Sequence, residues 1–318
     1  MTVRKICTLL LALFLIMPGT AAAQTPAPVA GESQFVQWLG FIEQILYGVC
    51  NKPHAAGDAE YYIESGGLER RFLLHTPASY NGRQRIPVVL DLHGSTSFPE
   101  QELAISQLAA LAEAEGFAVV APAGVDGFWN VPVDPAKQDD VQFISDVIDR
   151  VDTLLCIQPG RVYATGFSGG GRMVSQLACD LPDRIAAIAP VGGLRFPAPC
   201  QDSVPVVTFH GTADPINPYE GGGPDYWQTG VEDALAGWAA QNGCRVEAQE
   251  KPISTRLTEV RYVGCDRGDE VRIYRIDAMG HQWPGSPIDI GKERFGEPSD
   301  VIDATAAMWD FFRQHRLR

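Results

Sequence analysis

Long apolar runs, closely spaced cysteine pairs, internal repeats and an excess of basic residues are all missing from the body of this 318-residue sequence. After the first two dozen residues no stretch is long and apolar enough to cross a bilayer, so no membrane span is expected there. No two cysteines sit at zinc-site spacing, which argues against a structural metal site. Without a repeat or an obvious linker after Glu60, a repeat architecture is excluded and one domain is the simplest account. Lys and Arg number 25 against 39 Asp and Glu, a formal charge of −14. Such a chain repels phosphate backbones, so nucleic acid is not an expected partner.

What is there begins with Arg4 and Lys5, an apolar run over 6–17, and Ala21-Ala22-Ala23 before Gln24. That is the layout of a secretory signal peptide, 1–23, too short in its apolar part for a comfortable membrane anchor. An extracellular or periplasmic location follows. Cys7 leaves with the signal, and six cysteines remain: Cys50, Cys156, Cys179, Cys200, Cys244 and Cys265. An even number in an exported chain reads as disulfides. Cys244 and Cys265 bracket a short segment with one predicted strand, so they are expected to pair. The other four are expected to form two bridges whose partnering stays open.

Residues 24–58 form an N-terminal segment. Phe35, Leu39, Ile42 and Leu46 recur at helical spacing over 33–49, as an extra packed helix, a dimer contact or a lid. From 59 to 318 strands and helices alternate. Segments 61–64 and 71–75 flank Gly66-Gly67 as a hairpin, and 86–92 is apolar except for Asp91, as a strand covered on both faces should be. A helix carrying Ile105, Leu108, Ala109 and Ala112 stops at Gly116, and Asp140 caps another carrying Phe143, Val147, Ile148 and Val151. Strands are expected over 117–121, 161–167, 184–191, 204–209, 256–262 and 270–276. Helices are expected over 169–178, 231–241 and after Ser299. This rhythm predicts an α/β fold, a mostly parallel central sheet with helices on both faces.

Gly166-Phe167-Ser168-Gly169-Gly170 is a G-x-S-x-G sequence at a predicted strand-to-helix junction. The chemistry needs a sharp turn that thrusts a hydroxyl out of the sheet edge, with glycines where side chains would collide. A serine hydroxyl is a weak nucleophile and needs a base held by a third group. In the α/β-hydrolase order the acid and then the histidine follow the serine. Beyond Ser168 lie His210, His281 and His315. His315 is near the C-terminus and His210 suits a turn beside Gly211, which leaves His281, in a loop after the last strand, as the base. Asp214, just past a strand end, is the leading acid, ahead of Asp225 and Asp277. The N–H of Ser95, with Thr96 as the alternative, is expected to pair with that of Gly169 as an oxyanion hole, and His93 to brace the loop.

The motifs HGST, GFSGGG, HGTADPINPY and GHQWPG, in that order, resemble the secreted esterases related to feruloyl esterases and poly(3-hydroxybutyrate) depolymerases, around carbohydrate esterase family 1. The likeness runs from Cys50 to the C-terminus and includes the cysteine contexts. It implies an α/β-hydrolase fold stabilised by disulfides, a Ser168-Asp214-His281 triad, and ester hydrolysis without metal or organic cofactor. It also implies that Trp129 and Trp283 wall the acyl pocket, ordinary core packing being the alternative for each. HGST in place of a Gly-rich or Cys-Thr oxyanion loop, and the helix before Cys50, depart from the pattern. A feruloyl-type ester of plant polysaccharide is the expected substrate. Polyhydroxybutyrate esters come second, since no polymer-binding module follows the last helix, and acyl transfer to a sugar is a further alternative.

Overall fold

The chain reverses at Gly66-Gly67, where both residues hold positive φ, 59° and 78°, a conformation that a side chain resists. The reversal joins β1 (Gly57–Ser65) to β2 (Leu68–Thr76) as the expected antiparallel hairpin. This computed structural model describes residues 49–245 and 247–317. The signal segment 1–23 and, but for Val49, the helix expected over 33–49 lie outside the described residues.

Eight further strands complete one sheet among the described residues: β3 (Ile86–Leu92), β4 (Ala118–Pro122), β5 (Ile157–Phe167), β6 (Ala187–Val191), β7 (Val206–Gly211), β8 (Gln249–Ser254), β9 (Leu257–Tyr262) and β10 (Val271–Ile276). Their order is β1-β2-β4-β3-β5-β6-β7-β10-β9-β8. The central six are mutually parallel, and antiparallel pairs close both edges. Alternation along the central strands feeds two cores, as a two-residue side-chain period requires. In β3, Val88, Leu90 and Leu92 enter one core and Val89 the other. The first core is covered by α3 (Asp140–Leu154), α4 (Gly169–Asp180) and α5 (Val231–Gln241) through Phe143, Val147, Leu177 and Trp238. The second is covered by α1 (Pro99–Ser106), α2 (Leu108–Glu115) and α6 (Ala304–Phe312) through Ile105, Leu108, Met308 and Phe312.

Three local expectations are corrected. The single helix ending at Gly116 is two, α1 and α2, separated by Gln107 at φ 57°. Ser106 Oγ donates to the buried Asp91 carboxylate at 2.7 Å and accepts the Leu108 N–H at 3.3 Å. A serine that serves another strand competes with the helix backbone, and the helix restarts. The cap of α3 is Asp139, which accepts the Gln142 N–H. Asp140 is buried instead, bonded to Arg70 and the Asn130 N–H. The edge strand β8 was not expected, because all six of its residues are exposed and show no alternation.

The six cysteines form three disulfides, Cys50–Cys156, Cys179–Cys200 and the expected Cys244–Cys265. The first spans 106 residues and ties the chain ahead of β1 to the start of β5, whereas the other two span 21 each. Loop-closure entropy gives about 4.8 kcal/mol for the long loop against about 3.4 for a short one. Replacing Cys50 and Cys156 together by Ser therefore lowers the thermal midpoint more than replacing Cys244 and Cys265. Calorimetry on the two double variants checks the order, and an equal or reversed loss contradicts it.

Candidate active site

Ser168 follows β5, Ser95 follows β3, Asp214 follows β7 and His281 follows β10. Because these four strands are parallel, all four residues gather at one edge of the sheet, the usual ligand edge of an open α/β sheet. Ser168 turns from strand to helix at φ 53°, ψ −111°, a conformation costly for a side-chain-bearing residue and held only by firm surroundings. Its N–H donates to the Val191 carbonyl at 2.9 Å, and its carbonyl accepts the Arg172 N–H at 3.0 Å, the first bond of α4. A Cβ on Gly166 would stand 2.5 Å from the Leu92 carbonyl oxygen, and one on Gly170 would overlap that same oxygen. The glycines of the motif are required by close backbone approach.

His281 Nδ1 lies 2.6 Å from Asp214 Oδ2, with the two residues 2% and 4% exposed. Burial by itself would raise the Asp214 carboxyl, but hydrogen bonds from His210 and His281 outweigh it and hold the group well below the usual carboxylate range. Asp214 Oδ1 also accepts the N–H groups of Ile216 and Asn217, both at 2.8 Å. An ionised acceptor on Nδ1 fixes the hydrogen there and leaves Nε2 as the free basic nitrogen. The Phe167 ring packs at 4.7 Å from the imidazole, and the His281 N–H donates to the Phe295 carbonyl. His210, expected only to shape its turn, contacts the same carboxylate. Its Nε2 donates to the Asn217 carbonyl at 2.8 Å and lies 3.3 Å from Asp214 Oδ2. The i,i+4 spacing in HGTAD was the available signal.

In the loop after β3 the Thr96 N–H, one of the two expected donors, is already engaged by the Gly127 carbonyl at 2.8 Å. A Cβ on Gly169 would stand 3.0 Å from the Ser95 nitrogen, so the loop and the start of α4 are in contact. His93 braces the loop. Its Nε2 accepts the Gly124 N–H at 2.9 Å, so Nδ1 carries the hydrogen and donates to the Gly94 carbonyl at 2.8 Å. Burial holds His93 below its ordinary pKa, in keeping with a neutral ring.

Trp129 and Trp283 do not wall the cleft. Trp129 is buried against the His93 ring and donates to the His93 carbonyl at 2.8 Å. Trp283 is buried in the second core and donates to Thr305 Oγ1 at 3.0 Å. Adjacency to a loop left the side of the chain undetermined, and each indole N–H found its partner behind the site. The cleft, about 260 Å³, takes its walls from Tyr226, Phe295, Ile216 and Ile290, with Ser168 and His281 opening on it. Tyr226, Ile216 and Ile290 come from loops and Phe295 from the four-residue helix Lys292–Phe295, all too short for a periodic signal.

Glu102 of α1 also lines the cleft, fully buried, with only weak backbone hydrogen bonds at Gly94 and Phe167 to offset that burial. Burial raises its pKa strongly and the neighbouring Asp91 raises it further. An acid so raised keeps its proton in the folded state where the unfolded chain, titrating near pH ~4.3, has lost it. Stability therefore falls as pH rises above that value, by about 1.4 kcal/mol per pH unit until the folded group ionises. Glu102→Gln removes this group's share of the slope. The thermal midpoint of the variant relative to wild type is expected to rise between about pH 5 and pH 8. A difference that stays constant across that range contradicts the assignment.

No protein-family model matches the sequence. Feruloyl esterase B of Piromyces equi is 30% identical over 232 residues, 67% of this chain, which spans only 42% of that protein. "Putative esterase NocK" of Nocardia uniformis subsp. tsuyamanensis is 30% identical over 298 residues, 83% of each chain. Feruloyl esterase D of Neurospora crassa is 25% identical over 291 residues, covering 84% of this chain and 86% of its own. Among solved structures, acetyl xylan esterase from Aspergillus awamori superposes with a TM-score of 0.56 at 14% identity, over 75% of this chain and 99% of that one. A thermostable esterase gives 0.54 at 16%, over 81% and 63%. At those identities the likeness speaks to the fold alone. With the sequence relatives it shows that the chain belongs to the α/β-hydrolase esterase family of which the feruloyl esterases are members.

Proposed function

We propose that the protein is a secreted serine carboxylesterase that hydrolyses feruloyl-type esters of plant polysaccharide through an acyl-enzyme. The observation that carries this is the buried 2.6 Å contact between His281 Nδ1 and an ionised Asp214, with Ser168 and His281 opening on one cleft. Ser168 Oγ attacks the ester carbonyl carbon while His281 Nε2 takes its proton. The N–H groups of Ser95 and Gly169, the latter at the positive end of α4, meet the oxyanion. The carbon–oxygen bond to the alcohol then breaks, and the alcohol leaves with the proton from His281. Asp214 stabilises the imidazolium without taking its proton. Water, deprotonated by His281, attacks the acyl-serine and releases the acid. The scheme uses no metal or organic cofactor.

Two observations favour an aryl acid. The relatives include proteins named feruloyl esterase B and D, and Tyr226 and Phe295 give the cleft flat walls of the kind that desolvate a planar ring. The three disulfides fit an oxidising compartment. Hydrolysis of methyl ferulate, an acetyl ester and 3-hydroxybutyrate oligomers by wild type tests the substrate class, with methyl ferulate expected to give the highest kcat/KM. Ser168→Ala, His281→Ala and Asp214→Asn are each expected to lower kcat by about 10⁴ or more with the fold retained. Near-normal turnover in any variant removes that residue from the mechanism, and a preference for the hydroxybutyrate oligomers replaces the aryl assignment.

A further inference from the structure

Arg172 lies one helical turn after Ser168, on α4, and lines the cleft. It is 8% exposed. Its guanidinium donates to Ser95 Oγ at 3.2 Å and stacks 4.1 Å over the Tyr226 ring, and its Nε finds no partner. Among the described residues it forms no ion pair with a carboxylate. Other guanidiniums removed from solvent differ: the buried Arg70 bonds to Asp140 at 2.8 Å, and the half-buried Arg272 to Glu270 at 2.6 Å and Glu259 at 3.1 Å.

The surroundings of Arg172 add positive charge. Burial disfavours the charge on Arg172, Tyr226 offsets part of that, and Arg195, which donates to the Tyr226 carbonyl, disfavours it to a smaller extent. Arg294, on the cleft rim, stacks 5.1 Å from the Phe295 ring and forms no ion pair among the described residues. Glu102, the carboxyl group on the same cleft, is held toward its protonated form. A desolvated cation without a counter-ion is unfavourable, and here it faces the space that a substrate enters. In a chain of net charge −14, general attraction does not bring an anion to this cleft, so selection for one has to be local.

We propose that the cleft selects esters carrying a carboxylate, which pairs with the Arg172 guanidinium when substrate binds. The proposal rests on the esterase assignment for the same cleft and adds the charge of its substrate. The carboxylate belongs either to the acid portion of the ester or to the alcohol portion, such as an acidic sugar.

The test compares matched pairs, an acid-side arm of monoethyl succinate against ethyl succinamate and an alcohol-side arm of O-feruloyl glycolate against O-feruloyl glycolamide. Wild type is expected to favour the carboxylate over the carboxamide in one arm, and that arm names the source. Arg172→Gln is expected to reduce the carboxylate-to-carboxamide ratio of kcat/KM by roughly tenfold to a hundredfold, the worth of a charge-assisted hydrogen bond. Arg172→Lys is expected to keep part of the ratio, and it serves as the readout if the Gln variant does not fold. Equal kcat/KM within both wild-type pairs, or a uniform loss in Arg172→Gln across charged and neutral esters, overturns the proposal. If no ester of either arm turns over, the esterase assignment fails separately. Calorimetric binding of the same pairs to wild type and Arg172→Gln then decides. Carboxylate binding that depends on Arg172 sustains the site, and binding indifferent to charge or to Arg172 refutes it.

Discussion

The Leu92 carbonyl, at the end of β3, sits against the backbone of Gly166 and Gly170 with no room for a methyl group on either. That approach seats the Ser168 turn on the neighbouring strand and brings the start of α4 against the Ser95 loop. The same crowding holds Gly193, whose Cβ would overlap the Ser168 carbonyl. A serine in a strained backbone conformation persists because the strand ends on either side of β5 crowd its backbone. The turn at Ser168 and its contact with the Ser95 loop are thus consequences of one tight packing of backbone on backbone.

Burial then separates the carboxyl groups by the partners that each is given. Asp214 receives two histidines and two backbone N–H groups and is held ionised. Glu102, on the cleft wall, receives only weak backbone hydrogen bonds and a neighbouring acid, and burial pushes it toward its neutral form. Opposite environments for two acids in one site are a common way of assigning different roles to one functional group. Arg172 completes the pattern from the other side, a buried cation without a carboxylate partner among the described residues.

Much of this was legible in the residues because the relevant signals are local. The strand Ile86–Leu92 and the helix Val231–Gln241 fall where the apolar pattern puts them, since both are bounded by clear polar or turn residues. Ser168, Asp214 and His281 stand out as polar residues just past apolar strand ends, and the structure brings them to one edge. The exposed strand Gln249–Ser254 carried no alternation to detect. The break at Gln107 depends on a serine reaching a distant strand, which no local pattern encodes. The tryptophans were misassigned for a related reason. A loop residue may be read as near a site from sequence, but the side it faces depends on partners such as Thr305 and the His93 carbonyl. Arg172 went unremarked inside the GGGRM stretch because its isolation from carboxylates exists only in three dimensions.

The most direct measurement of the central claim is covalent titration of the folded protein with a fluorophosphonate, followed by peptide mapping. A serine made nucleophilic by the His281–Asp214 pair is expected to take up one phosphonyl group per chain, on Ser168, with full loss of ester hydrolysis. Labelling at another residue, or no labelling of a correctly folded chain, would contradict the assignment of Ser168 as the nucleophile.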